Sequence, residues 1–252
     1  MRLKDQVVIV TGGSRGIGAA LAEGLAAEGA RVVVNYVQAA GAAQEIVGRI
    51  RDCGREAFAI QADVADLDAQ TRLLSATMER FGRLDVLVNN AAVEFREPFL
   101  STKPEIWDRT LEVNLKAPYF LSQKAAEVMR SAGKGKIINL SSVHDNVPLR
   151  GRSAYACSKA GLAMMTKALA LELAEYHINV NAVSPGAILT DMNRQHLSVP
   201  EVKARLLERI PWNRLGEVQD VVGMTVFLSS AESDYVTGAV FYVDGGLLLR
   251  RL

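Results

Sequence analysis

The chain has 252 residues, 49% hydrophobic and 23% charged, and 29 Lys and Arg nearly balance 28 Asp and Glu for a net charge of +1. Near neutrality argues against a nucleic-acid binder, which needs a basic patch to displace counterions from phosphates, and the apolar content argues against disorder. No run reaches the roughly 18 uninterrupted apolar residues of a membrane helix, and Met1-Arg2-Leu3-Lys4-Asp5 leads into an apolar strand without a small-residue cleavage site, so neither membrane insertion nor a signal peptide is expected. The two cysteines, Cys53 and Cys157, lack CxxC or zinc-like spacing, which leaves a soluble, reducing, cytoplasmic setting as the expectation.

From the N-terminus onward, short apolar runs alternate with helical patterns. Strands are predicted at Val7–Val10, 31–35, Ala57–Gln61, Val86–Asn89, 136–140, 179–183 and Val240–Val243, nearly continuous in apolar character, as befits parallel strands buried on both faces. Helices are predicted to start near Gly16, Ala39, Leu67, Pro104, Leu115, Ser153 and Val218. This alternation predicts an α/β fold, a doubly wound parallel sheet with helices on both sides. Without a linker, repeat or low-complexity stretch, residues 1–252 read as a single domain. One interruption follows Ser184-Pro185-Gly186: a polar, helix-containing insertion at about 187–216, placed where an active-site lid would sit, with a plain surface connection as the alternative.

The first strand runs straight into Thr11-Gly12-Gly13-Ser14-Arg15-Gly16-Ile17-Gly18 and an Ala/Leu-rich helix. Gly12, Gly16 and Gly18, with Ser14 and Ile17 between them, let the backbone turn sharply against a pyrophosphate, and the helix offers free N–H groups and the positive end of its dipole. NAD-selective sites commonly place an acid at the end of the second strand to hold the ribose 2′-OH. Here that end reads Asn35-Tyr36-Val37-Gln38, with Asn35 counted among the cofactor residues, and Arg15 is available to pair with a 2′-phosphate. NADP is therefore preferred, with NAD as the other option. Arg15 as an ordinary solvated charge is the competing reading.

Further on, Asn139-Leu-Ser-Ser-Val-His-Asp is followed, after a loop, by Tyr155-Ala-Cys-Ser-Lys159. Tyr155 and Lys159 are four apart on a predicted helix and share a face. A phenol titrating near about 10 is a poor base at neutral pH, and a nearby ammonium favours the phenolate. A strand-end serine can hydrogen-bond the same substrate oxygen. Ser142, His144 and Asp145 also invite a hydrolase reading, but residues so close in sequence do not reach the nucleophile–base–orienter geometry, and no G-x-S-x-G elbow exists.

These motifs, together with Asp63-Val64, Asn89-Asn90-Ala91, Asn114 and Pro185-Gly186 in order, make the whole chain resemble the short-chain dehydrogenase/reductase family. The resemblance implies a Rossmann sheet of seven parallel strands and hydride transfer between a nicotinamide dinucleotide and a secondary alcohol or carbonyl. It implies Tyr155 as general acid/base and Ser142, rather than Ser141, as the group orienting the reacting oxygen. Lys159 would lower the Tyr155 pKa and hold the nicotinamide ribose, and Asn114 would support a water-linked proton path. Asp63, with Val64 beside it, would meet the adenine; Asn90 and Ala91 would line the cofactor groove; Pro185, Gly186, Ile188 and Thr190 would hold the carboxamide end. The family's Asn-Asn-Ala-Gly ends here in Ala92, for which a small local adjustment is expected.

Polar residues gather on the segments expected to rim the pocket: Glu94 and Arg96, then His144, Asp145, Asn146, Arg150 and Arg152. Such a rim suits a polyhydroxylated substrate, although loops are polar in any case. The wording of Val93-Glu94-Phe95 and Ser141-Ser142-Val143-His144-Asp145 is similar to glucose and other aldose 1-dehydrogenases. That similarity implies oxidation of an aldose at C1 to its lactone, with Glu94, Ser142, His144, Asn146 and Tyr155 at the substrate. Thr190-Asp191-Met192-Asn193 is similar to sugar dehydrogenases less specifically. The alternative is a 3-oxoacyl-[acyl-carrier-protein] reductase or another carbonyl reductase. Against it, Leu171-Glu172-Leu173-Ala174-Glu175-Tyr176-His177 is not the basic face that would dock an acidic carrier. A non-catalytic dinucleotide sensor is the distant alternative.

His177 and His196 lack partners at ligand spacing, so no metal is expected, and Cys157 is expected to pack against the sheet as a small apolar group. The expected partner is a small-molecule substrate, with neither nucleic acid nor membrane. Apolar and small residues on more than one face of the helices at 115–129 and 154–174 predict self-association. The resemblance implies a homotetramer built on these helices, with Leu247-Leu248-Leu249 near another interface.

Overall fold

Val7–Val10 (β1) is a run of β-branched residues, all four buried, and it folds as an inner strand because apolar side chains leave it on both faces. In the computed structural model, which describes residues 1–190 and 199–249, six further strands join it. They are β2 (Arg31–Tyr36), β3 (Ala57–Gln61), β4 (Val86–Asn89), β5 (Gly135–Leu140), β6 (Ile178–Pro185) and β7 (Val240–Val243). All pair in parallel, in the order β3-β2-β1-β4-β5-β6-β7.

The intervening helices are α1 (Gly16–Ala27), α2 (Ala40–Asp52), α3 (Leu67–Phe81), α4 (Pro104–Leu111), α5 (Ala117–Ala132), α6 (Ser153–Leu173), α7 (Pro200–Leu207) and α8 (Val218–Ser229). Strand alternation divides the interior into two cores. Val8 and Val10 pack with Leu21, Leu25 and Val221 on one face, while Ile9 packs with Leu73, Leu121 and Met129 on the other. No described helix is long and apolar enough to cross a membrane.

Two departures from the sequence-based expectations are local. A π-helical turn, Glu112–Lys116, joins α4 to α5. Cys157 does not pack against the sheet: it is exposed on α6, while the next two residues, Ser158 and Lys159, are buried. Helix phase, not side-chain character, decides which way it faces. The insertion after β6 is pinned at its base, where Leu189 N–H donates to the Gly216 carbonyl and Gly216 N–H donates to that of Ala187.

A buried polar ladder ties the sheet to its helices. Asn89 at the end of β4 donates to Ser122 of α5 (3.0 Å) and to Asn139 of β5 (2.9 Å), and Asn139 donates to Thr166 of α6 (2.9 Å). Truncating Asn89 to Ala leaves the Asn139 oxygen without its donor in a dry interior. The variant is expected to lose about 1–3 kcal/mol of stability in denaturant unfolding; a wild-type midpoint would show that the ladder contributes nothing.

Candidate functional site

The strand order reverses between β1 and β4, which opens a crevice at their carboxyl ends. The glycine loop is held across this crevice from both sides. The Thr11 hydroxyl accepts the N–H groups of Asn90 (2.9 Å) and Ala91 (3.0 Å), and the Asn90 amide donates to the carbonyls of Thr11 (2.8 Å) and Gly12 (3.2 Å). From β2, the buried Asn35 side chain accepts from Gly12 N–H (3.3 Å) and donates to the Ala62 carbonyl (2.9 Å), so its polar atoms serve the loop.

Gly12 and Gly16 adopt positive φ, +61° and +55°, and a Cβ on Gly18 would meet the Gly12 carbonyl and the Asn90 amide. The first turn of α1 has neither a side-chain cap nor an acid, so its N–H groups are available to an anion. A pyrophosphate fits this cradle. Arg15 stands exposed at the N-cap, in none of the described ion pairs, and Ser14 and Ile17 flank it along the loop. Ala92 accommodates its methyl in ordinary backbone: among the described residues, positive φ outside glycine occurs only at Asp5, His177 and Asn213.

Asp63 accepts from Ala65 N–H (3.0 Å) and pairs with Arg109 (3.0 Å), and Val64 is buried next to it. At the far end, Pro185, Gly186, Ile188 and Thr190 line a cavity of about 1160 Å³, together with Ile17, Ser142 and Tyr155. Residues 191–193 and His196 lie outside the described residues.

Tyr155 sits in the first turn of α6, with Ser142, just past the end of β5, lining the same cavity and the Lys159 ammonium 5.7 Å from the Tyr155 ring centroid. Lys159 is 3% exposed and donates to the Leu140 carbonyl at 2.7 Å. Burial pushes the Tyr155 phenol up and the Glu94 carboxylate adds to this, while Ser142 and Arg152 oppose it. Burial also pushes Lys159 down to about 8, against the charges of Asp145 and Glu94. The phenol is therefore protonated in the protein alone, competent as an acid, and needs added positive charge to act as a base.

The π-helical turn carries the fully buried Asn114 inward. Its amide accepts from Val93 N–H (2.8 Å) and donates to the Val93 carbonyl (2.9 Å) and the Ser158 hydroxyl (3.1 Å). Ser158 in turn donates to the Tyr155 carbonyl at 2.7 Å. Asn114 thus fixes both the 93–96 segment and the start of α6.

The cavity's inner wall is polar. Glu94 and Arg152 form an ion pair at 2.7 Å with only 16% and 13% of their side chains exposed, and Arg96 stands 3.9 Å from the same carboxylate. Desolvation lowers the Arg152 pKa, and Glu94 opposes that. His144 lines the cavity edge-on to Tyr155, at 6.3 Å between ring centroids, and its Nδ1 contacts the Val147 carbonyl at 2.9 Å.

Two expectations about this wall change. Asn146 does not line the cavity; it is exposed. Arg152, left among the general rim residues, is the buried partner of Glu94. Asp145 turns away from His144 to meet hydroxyls on three strand ends, so no hydrolase relay forms. The polar ladder and the Asp145 contacts had no periodic signal in the sequence; only asparagines and serines at strand ends hinted at them.

Residues 12–248 match the family model described as enoyl-(acyl carrier protein) reductase. The chain is 42% identical to L-rhamnose 1-dehydrogenase (NAD(P)(+)) of Azotobacter vinelandii, over 99% of both chains. It is 41% identical to 3beta-hydroxysteroid dehydrogenase 1 of Eggerthella lenta, over 98% of this chain and 95% of that one. Identity to 3-oxoacyl-[acyl-carrier-protein] reductase of Synechocystis sp. is 40% over 98% of both. Among solved structures, gluconate 5-dehydrogenase from Burkholderia cenocepacia J2315, in complex with NADP and tartrate, superposes with a TM-score of 0.94. It shares 35% identity and covers 99% of this chain and 98% of its own. A 7α-hydroxysteroid dehydrogenase complexed with NADH gives 0.94 at 33% identity, covering 97% and 95%.

Replacing Tyr155 by Phe removes the phenol oxygen and keeps the ring. Dinucleotide affinity in the variant is expected to stay within about twofold while turnover falls at least about a hundredfold, the scale of a lost general acid; unchanged turnover would remove Tyr155 from the chemistry.

Proposed function

Because the chain belongs to the short-chain dehydrogenase/reductase family and is an NAD(P)-dependent oxidoreductase of CH–OH or carbonyl groups, we propose that it oxidises an aldose at C1 to its lactone, with NADP preferred. The Glu94–Arg152 pair beside Tyr155 carries this reading. A carboxylate and a guanidinium held together on the cavity wall offer acceptors and donors to adjacent hydroxyls, and a substrate lacking hydroxyls would leave those positions without a match on the ligand. The rhamnose dehydrogenase and the gluconate dehydrogenase both have names that denote polyhydroxylated substrates, which supports it.

In this reading Ser142 and Tyr155 hold the C1 hydroxyl, and Tyr155 takes its proton as the hydride leaves the carbon. Bound oxidised nicotinamide supplies the hydride acceptor and a positive charge that offsets the burial cost of the phenolate. Lys159 adds its ammonium and takes the nicotinamide ribose, and Asn114 supports the proton path by holding the start of α6. The glycine loop, Asp63, Val64, Asn90 and Ala91 hold the adenine half; Pro185, Gly186, Ile188 and Thr190 hold the carboxamide end. His144 and Glu94 contact the sugar.

NADP preference is supported by Arg15, exposed and outside the described ion pairs, and by the lack of an acid at the end of β2. Homotetramer formation is supported by exposed apolar side chains on neighbouring helices: Trp107, Tyr119, Met164 and Leu171. Two free cysteines fit a cytoplasmic setting.

One observation favours a second reading. Part of the cavity lining is apolar, Val147, Pro148, Leu149, Val202, Leu206 and Leu247 beside the charged Arg205, Glu208 and Arg209, and that part would suit the acyl chain of a 3-oxoacyl thioester or another apolar carbonyl.

Purified protein assayed with NADP and NAD against a panel of aldoses, beside acetoacetyl thioester reduction, separates the two. Turnover of one or two sugars is expected; thioester reduction alone would overturn the sugar assignment. Arg15→Ala is expected to weaken NADP binding by about tenfold to a hundredfold, the worth of a charge-assisted hydrogen bond, and to leave NAD within about twofold. Equal losses would remove Arg15 from phosphate recognition.

A further inference from the structure

Asp145 closes the short 3₁₀ turn Val143–Asp145 that follows Ser142. Its carboxylate is met by three hydroxyls from three neighbouring strands. Ser141, directly after β5, donates to Oδ2 at 2.9 Å, Ser184 of β6 donates to the same oxygen at 2.5 Å, and Tyr242 of β7 donates to Oδ1 at 3.0 Å. No described ion pair includes Asp145, and its described side-chain donors are these three hydroxyls. The turn itself is closed by Asp145 N–H to the Ser142 carbonyl (2.8 Å) and by His144 N–H to the Ser142 hydroxyl (3.3 Å). Ser141 Oγ also reaches the Lys159 carbonyl at 3.3 Å, which joins the same knot to α6.

We propose that Asp145 is a positioning residue for hydride transfer: it fixes the Ser142 turn to three strand ends and, through Ser141, sets a carboxylate beside the backbone of the buried Lys159.

Geometry supports both parts. Hydroxyl-to-carboxylate bonds are the stronger, charge-assisted kind, and three of them from separate strands leave the turn no rigid-body freedom to carry Ser142 away from Tyr155. The charged and polar groups facing Lys159 come from four elements. They are the Leu140 carbonyl of β5, Tyr155 of its own helix, Glu94 from the segment after β4, and Asp145 from the turn. Both carboxylates favour the ammonium against the desolvation that lowers it, and Asp145 contributes more than Glu94. Facing Asp145 itself are Ser141, Ser184 and Tyr242, with Asn146 and Asp244 acting on the Tyr242 hydroxyl, and the Asp145 charge also pushes the Tyr155 phenol up, so its loss moves Tyr155 and Lys159 in the same direction. An amide in place of the carboxylate keeps one acceptor and the shape, and loses the charge.

The proposal rests on the hydride-transfer reading and not on the sugar, so its first readout needs no substrate. In protein labelled with ¹³C at lysine Cε, the Lys159 resonance, assigned by its loss in Lys159→Met, reports the ammonium directly. A titration midpoint of about 8 is expected in the native protein, and Asp145→Asn is expected to move it down by about one pH unit. With whichever carbonyl the assay panel turns over, the alkaline limb of kcat/KM for reduction should move down in parallel. In the same variant kcat on its pH-independent plateau should fall about tenfold, with dinucleotide affinity within about twofold. A resonance and a limb that both stay in place would overturn the charge assignment, and native kcat would overturn the positioning role. Should Asp145→Asn fail to fold, Tyr242→Phe removes one of the three donors from a partly exposed ring. It should lower kcat about threefold at unchanged KM, and native kcat there would overturn the clamp.

Discussion

The Thr11 hydroxyl is the joint on which the dinucleotide crevice depends. Parallel strands that lead to opposite edges of a sheet must part at their carboxyl ends, and backbone groups at the split lose their ladder partners. Thr11 replaces them: one oxygen takes the N–H groups of both Asn90 and Ala91, while Asn90 returns two bonds to the loop. Asn35 braces the loop from the other side. The opening that receives a dinucleotide is therefore a gap with its own hydrogen bonds satisfied, and the glycine loop can approach an anion closely without being loose.

A second balance governs the reacting centre. Tyr155 and Lys159 lie where burial disfavours the charge of each, so their useful protonation states are held by neighbours that lie on other elements. Ser142 comes from just past the end of β5, Asp145 from the 3₁₀ turn and Glu94 from the segment after β4. Tyrosine and lysine share one helix face, which fixes their mutual distance. Everything that tunes them arrives through tertiary packing.

That division explains what could be read from the chain. The sheet, its seven strands and the helix starts were legible because continuous β-branched runs and 3.6-residue periodicity are local signals, and the glycine loop and the Tyr155–Lys159 spacing are local motifs. Strand ends were less so: β6 extends to Pro185 because pairing with β7 continues past the apolar run. Cys157 faced the wrong way in the sequence reading because one residue of helix phase separates it from the buried Ser158. The role of Asn89, the pairing of Glu94 with Arg152 and the Ser184 and Tyr242 hydroxyls on Asp145 join residues dozens of positions apart. No periodicity encodes contacts of that kind. Relatives near 40% identity carry names that span a sugar, a steroid and an acyl thioester, as expected where the hydride machinery sits on strand ends and α6 while the pocket walls sit on connecting segments.

The Glu94–Arg152 pair also constrains how this pocket can change. Neither charge is well solvated, so losing one partner strands the other at a cost of roughly 3 kcal/mol, the low end for buried pairs because each keeps some contact with water. Replacing both by packed apolar residues avoids that penalty. The two positions are therefore epistatic: single steps toward an apolar pocket pass through a destabilised intermediate, and only the double change reaches it. A lineage holding this pair is kept near a polar pocket lining by the folding stability of the domain, before any selection on activity acts.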